Sequence, residues 1–113
     1  MILRKIIKLL KARKISSVDE MMDVEVENII GSDLVSDVLS YAKSKSLLLT
    51  GLVSPQVVRT ATMTDLVGIV ILRNKNIPRD TISLAKALNV PLFVSEFSMF
   101  KSCGVLFENG LKG

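Results

Sequence analysis

In the stretch ILRKIIKLLKA, residues 2–12, hydrophobic side chains recur at helical spacing. Ile2, Leu3, Ile6, Ile7, Leu9 and Leu10 share one face, and Arg4, Lys5, Lys8 and Lys11 take the other. The pattern predicts an amphipathic helix. Two readings of it stay open: a helix packed on a domain with solvated lysines, or a surface that meets a membrane or an acidic partner. Residues 15–23 read as a connection with a short turn. Val24–Ile30, VEVENII, begins by alternating and predicts a strand with one polar face. Ser32 or Asp33 then opens a helix whose apolar stripe is Leu34, Val35, Val38, Leu39 and Ala42.

The next units repeat the alternation. Leu47–Thr50 is a short apolar strand ending at Gly51. Ser54-Pro55 is a helix start, with serine at the N-cap and proline in the first turn, and the helix runs to about Met63. Val67–Leu72 is β-branched and apolar, as in a strand covered on both faces. Pro78 starts a helix that ends near Asn89, Pro91–Ser95 is a further strand, and Glu96–Asn109 is a last helix or two short ones broken near Gly104. Gly110–Gly113 reads as a polar, flexible tail. Strands alternating with helices predict a single α/β domain, three-layer-like, with about four mostly parallel strands and about five helices. The expected organisation is a basic helix at 1–14 followed by the α/β domain at 15–113.

Charge sharpens that division. The net charge is +4, yet residues 1–14 hold six bases (Arg4, Lys5, Lys8, Lys11, Arg13, Lys14) and no acid. The other 99 residues carry nine bases and eleven acids. The basic character therefore belongs to one helix, which argues against a whole-domain nucleic-acid surface. Hydrophobic residues make up 49% of the 113, and the mean hydropathy is +0.44. No apolar run is long enough to span a membrane, so the excess points to a core plus a subunit interface, hence a homodimer. No signal peptide is read, and a lone cysteine, Cys103, fits a cytoplasmic setting.

The chemistry that is missing narrows the function. Without histidine, Ser-His-Asp and Cys-His catalysis and histidine metal sites are excluded. There is no phosphate loop and no dinucleotide-binding glycine pattern. Cys103 next to Gly104 reads as a small buried residue beside a close-packing glycine, or else as a redox group. Open α/β sheets bind ligands beyond the carboxyl ends of their strands. Three such ends are polar here. They are Gly31-Ser32-Asp33 with Asp37, Thr50-Gly51 followed by Ser54, Gln56 and Arg59, and Arg73-Asn74-Lys75. The helix start at Ser54 could hold a phosphate or carboxylate, with Arg59 adding a bidentate contact. If Ser32 caps its helix, Asp33 falls at the first position, and Asp37 lies four residues on with a like charge. Asp37 is then either a tolerated surface charge or the partner of a base such as Arg59. Two carboxylates alone make a poor metal site.

GSDLVSDVL, LLLTGLVSPQVVRTA and SMFKSCGVLFENGL, with TDLVGIVILRNKNIP and LAKALNVPLFVSE between them, resemble the DRTGG-domain family over about residues 15–112. The likeness is greatest to short, stand-alone bacterial members. The literal Asp-Arg-Thr-Gly-Gly string is absent. The resemblance implies an α/β domain of this size that regulates or senses ligands, commonly as an oligomer, like the related domains that accompany CBS pairs, phosphotransacetylases and HPr kinase. It implies no reaction and no cofactor.

The expectation is a non-catalytic ligand-sensing domain that binds a small anion such as a nucleotide. The ligand-contacting set is Ser32, Asp33, Asp37, Thr50, Gly51, Ser54, Gln56 and Arg59, with no metal and no nucleic acid. The alternative is a protein-interaction module, a dimeric adaptor that takes a protein partner through helix 2–12 and has no small ligand.

Overall fold

A computed structural model describes residues 1–113. The elements run α1 (Leu3–Leu9), β1 (Arg13–Ser16), a short 3-10 helix (Asp19–Asp23), β2 (Asn28–Gly31), α2 (Val35–Tyr41), β3 (Ser46–Thr50), α3 (Pro55–Met63), β4 (Gly68–Ile71), α4 (Arg79–Ala87), β5 (Leu92–Val94) and α5 (Met99–Glu108). One five-stranded sheet has the order β1-β5-β4-β3-β2. β2 to β5 are parallel, and β1 pairs antiparallel with β5, Arg13 opposite Val94.

The sheet is buried on both sides, so its strands read as continuous apolar runs. Leu47, Leu49, Val70, Leu72 and Phe93 face α1 and α5, where Leu3, Ile6, Ile7, Leu10 and Leu106 complete one core. Leu48, Ile69, Ile71 and Leu92 face the opposite way, onto Val38, Val57, Val58, Ala61 and Ala85 of α2, α3 and α4. The parallel strands follow one another in a single direction across the sheet. Right-handed crossovers that advance in one direction lay their helices on one face, which is why α2, α3 and α4 share a layer. The other layer is left to α1 and α5. The result is three layers, as expected, with one strand more than the sequence pattern predicts.

That extra strand, β1, falls at the junction of the basic helix and the segment read as a connection. It is four residues long, Arg13 and Lys14 are exposed, and only Ser16 is buried. An edge strand with charged outward side chains carries no hydrophobic alternation. The division expected between residues 14 and 15 therefore cuts through β1. α1 is an integral part of the first core, with Leu3, Ile6 and Leu10 fully buried. Ser95, also buried, ties it down: its Oγ donates 2.7 Å to the Leu10 carbonyl and accepts from the Phe97 N–H at 3.2 Å.

Other boundaries shift for local reasons. Val24–Val26 is extended but belongs to α1 rather than to the sheet. The Leu3 N–H donates to Val24 O and the Val26 N–H to Met1 O. β2 therefore begins only at Asn28. α5 is continuous through Gly104. The tail is not free: Leu111 is buried, and the Ile29 N–H on the outer edge of β2 donates to Lys112 O.

Candidate ligand-binding site

The Ser-Asp doublets occupy different structures. Ser32 is not the N-cap. Its Oγ accepts from the Leu34 N–H at 3.0 Å, a local serine turn, and Leu34 in extended conformation precedes the first helical residue, Val35. The helix thus starts two residues later than the sequence suggests. Asp37 then falls in its first turn, where a carboxylate complements the helix dipole. Asp33 lies ahead of the helix, so the two acids do not share a helical face. Asp37 forms no ion pair with Arg59 or any other base of the chain.

Asp33 is a latch between two loops. Its Oδ1 accepts from the Gly51 N–H at 2.6 Å and from the Thr50 hydroxyl at 3.1 Å. Thr50, fully buried, also accepts from the Leu52 N–H at 3.1 Å. Lys75 closes the other side of the same turn, donating from Nζ to Gly51 O at 2.8 Å. Ser32, Asp33, Thr50 and Gly51 are therefore brought together, but they are occupied with one another. A carboxylate already holds the amide that an anion would use. The cavity between Asp33, Gly51, Arg73, Lys75 and Met99 is only about 100 Å³.

Ser54, Gln56 and Arg59 separate from that group and lead to a larger site. Ser54 is the N-cap of α3 and Pro55 its first residue, as the sequence indicates, although the Ser54 side chain makes no capping bond. One turn on, Arg59 projects into a groove of about 680 Å³ between α3 and α4. Pro55, Arg79, Asp80, Ser83, Leu84 and Ala87 line the rest. Gln56 is exposed and is not part of that lining. The buried Thr81 fixes the register of the two helices: its hydroxyl donates 2.7 Å to Val53 O, in the loop entering α3. Neither Arg59 nor Arg79 forms a hydrogen bond or ion pair. Asp80 is exposed in the same groove; its Oδ1 accepts from the Thr81 N–H at 2.9 Å, and it pairs with neither arginine. The groove thus offers two unpartnered guanidinium groups over an apolar floor of Pro55, Leu84 and Ala87. Its volume falls within the range of small-molecule sites.

Sequence reasoning missed Arg79. The available signal was topological: α3 and α4 are successive crossovers on one face, so positions near their N-terminal ends become neighbours.

Three other features bear on function. The 3-10 segment brings acids against the basic N-terminal segment, with Arg4 Nε of α1 3.1 Å from Asp23 Oδ1 and Lys14 Nζ of β1 3.9 Å from Asp19 Oδ1. Hydrogen bonding to Asp23, and then its charge, raises the Arg4 pKa. α1 is therefore partly neutralised, and it is no isolated cationic arm. Cys103 is half-buried against Gly31, and burial pushes its thiol up from the ordinary value. A second large concavity, about 460 Å³, lies at the opposite end of the strands beside Val67 and Pro91. Its Lys45 is already paired with Glu27 at 3.5 Å. No three acidic, cysteine or histidine side chains converge as metal ligands, and no helix is long and apolar enough to cross a membrane.

No protein-family model matches the chain, and no curated protein matches it. A solved structure does: the CBS and DRTGG domains of the regulatory region of Clostridium perfringens pyrophosphatase, complexed with the activator diadenosine tetraphosphate. It superposes with a TM-score of 0.72 at 11% identity, over 92% of this chain and 45% of that one. The fold is DRTGG-like. At this identity the likeness is one of architecture, and the chain spans less than half the length of its neighbour. The DRTGG-like fold agrees with the family resemblance read from the sequence motifs, and it extends the agreement to the three-dimensional arrangement of the elements.

Proposed function

We propose that this protein is a non-catalytic regulatory domain that senses a small anionic ligand, a nucleotide or another phosphorylated metabolite, in the α3–α4 groove. The observation that carries the reading is the pair Arg59 and Arg79, two guanidinium groups with no partner in the chain, facing one groove. Guanidinium groups match phosphate oxygens bidentately, and the apolar floor suits a nucleobase. The neighbour's nucleotide activator supports the ligand class. The lone, half-buried cysteine suits a reducing, cytoplasmic setting. The latch at Asp33 is a poorer anion site, because its own carboxylate already fills it.

Isothermal titration against mono-, di- and triphosphate nucleotides and inorganic pyrophosphate tests the proposal. Binding is expected, and Arg59→Ala or Arg79→Ala should each weaken it about 10- to 100-fold, the worth of a charge-assisted hydrogen bond. Absence of binding at millimolar concentrations, or binding indifferent to both substitutions, would overturn it.

A further inference from the structure

The outward face of α5 has a composition that neither the core nor the groove explains. Phe100 is 90% exposed and Phe107 is 71% exposed. Gly104 lies between them, and a Cβ added there would meet nothing within 4 Å. The glycine is therefore not close-packed within the chain, contrary to the expectation for the Cys103-Gly104 pair. At about 100° per residue, Gly104 marks the centre of the exposed face. Phe100 and Phe107 flank it on one side, and Lys101 and Glu108 flank it on the other. Within the chain, Lys101 rests its ammonium 4.2 Å from the Phe97 ring centre, and neither Lys101 nor Glu108 has an ion-pair partner.

We infer that this face pairs with α5 of a second copy of the same chain, antiparallel, with the two-fold axis passing by Gly104. An isologous contact must be self-complementary, and this face is. A two-fold axis perpendicular to both helices keeps each flank facing its own equivalent. Phe100 then lies beside Phe107 of the other copy, and Lys101 lies beside Glu108 of the other copy. Both pairs are seven residues apart and both are centred near Gly104, so one register satisfies the apolar and the charged flank together. A parallel pairing would set the aromatic flank against the charged one. Gly104, with no side chain, lets the two backbones approach at the crossing. A buried phenylalanine contributes about 150–250 Å², so the two exposed rings supply roughly 300 Å² of the ~800 Å² that each partner gives to a standard interface. The association is accordingly reversible. It rests on different residues from the ligand groove and stands whether or not a ligand binds there.

Sedimentation equilibrium of the full chain between roughly 1 and 100 µM, a span that brackets weak association, tests the inference. The unmodified chain is expected to pass from monomer to dimer. Phe100→Ser and Gly104→Leu should each raise the dissociation constant at least about tenfold. Both positions are open in the monomer, so thermal melting by circular dichroism should show the fold retained. Lys101→Glu and Glu108→Lys should each weaken the dimer by setting like charges opposite. The double reversal should restore it to within about threefold, because the pair is regenerated across the two-fold axis. A chain that stays monomeric throughout, a dimer indifferent to Phe100→Ser and Gly104→Leu, or a double reversal that fails to rescue would each overturn the inference.

Discussion

Replacing Asp33 by alanine removes one acceptor from two donors, the Gly51 amide and the Thr50 hydroxyl. Water can reach the first, but Thr50 is fully buried. The expected loss is about 1–2 kcal/mol of folding stability, with Asp33→Asn, which keeps an acceptor oxygen, losing less. Urea unfolding midpoints measure both, and an alanine variant as stable as the parent would refute the latch. This was only half legible in sequence. The polar end of β2 was identifiable as a place where side chains meet. Helix spacing, however, paired Asp33 with Asp37, and the structure pairs Asp33 with the next loop. The difference comes from a two-residue shift in the start of α2, the kind of boundary that propensity does not fix. Asp37, with its face changed, needs no partner: its place in the first turn accounts for it.

α5 shows both what an element's pattern reveals and what it hides. Its buried side carries Ser102, whose hydroxyl is enclosed and makes no hydrogen bond. Alanine there would remove an unsatisfied polar group and improve helix propensity, so Ser102→Ala should gain roughly 1 kcal/mol. A thermal or chemical melt showing a loss instead would mean that the hydroxyl is satisfied in solution. The parallel strands were legible because burial on both faces imposes unbroken apolar runs, such as Leu47–Leu49 and Ile69–Leu72. α3 was legible because Ser54-Pro55 has no good alternative reading. β1 was not, since an edge strand of four residues takes its conformation from Phe93 and Val94 across the ladder. Gly104 suggested a break only because a glycine weakens a helix; neighbouring contacts from Ser102 and Leu106 hold it.

At the scale of the whole molecule, the basic N-terminal segment packs on the domain, one of the two readings its pattern leaves open. Its apolar stripe supplies four of the thirteen buried residues of one core. Leu3, Ile6, Ile7 and Leu10 are all buried. At about 1.5–3 kcal/mol for each fully buried side chain, they contribute roughly 6–12 kcal/mol, comparable to the entire net stability of a domain. Deleting residues 1–14 should therefore give a chain without cooperative unfolding, rather than a folded domain that lacks one binding arm. A sharp melting transition in the truncated chain would contradict this. The three-layer class was readable in advance because it follows from the alternation of elements. The α3–α4 groove was not, because it depends on which helices the crossovers set side by side.

The one-directional strand order also governs how the chain can assemble. Neighbouring parallel strands close loops of about twenty residues, as between Leu47 and Gly68, whereas Ser16 must reach Leu92. The longer closure costs only about 1 kcal/mol more in chain entropy. It cannot begin, however, until β5 exists and has docked. The ladder between β1 and β5 is thus the most non-local pairing in the sheet, and the segment carrying α1 and β1, though first in sequence, is a clasp that can shut only on a docked β5. Until it does, the apolar face built from Leu47, Leu49, Val70 and Phe93 stands open on the side that α1 will cover. The charges on Arg13 and Lys14 act once the clasp is shut: β1 is then the outer edge of the sheet, and its exposed cations oppose edge-to-edge pairing with another chain.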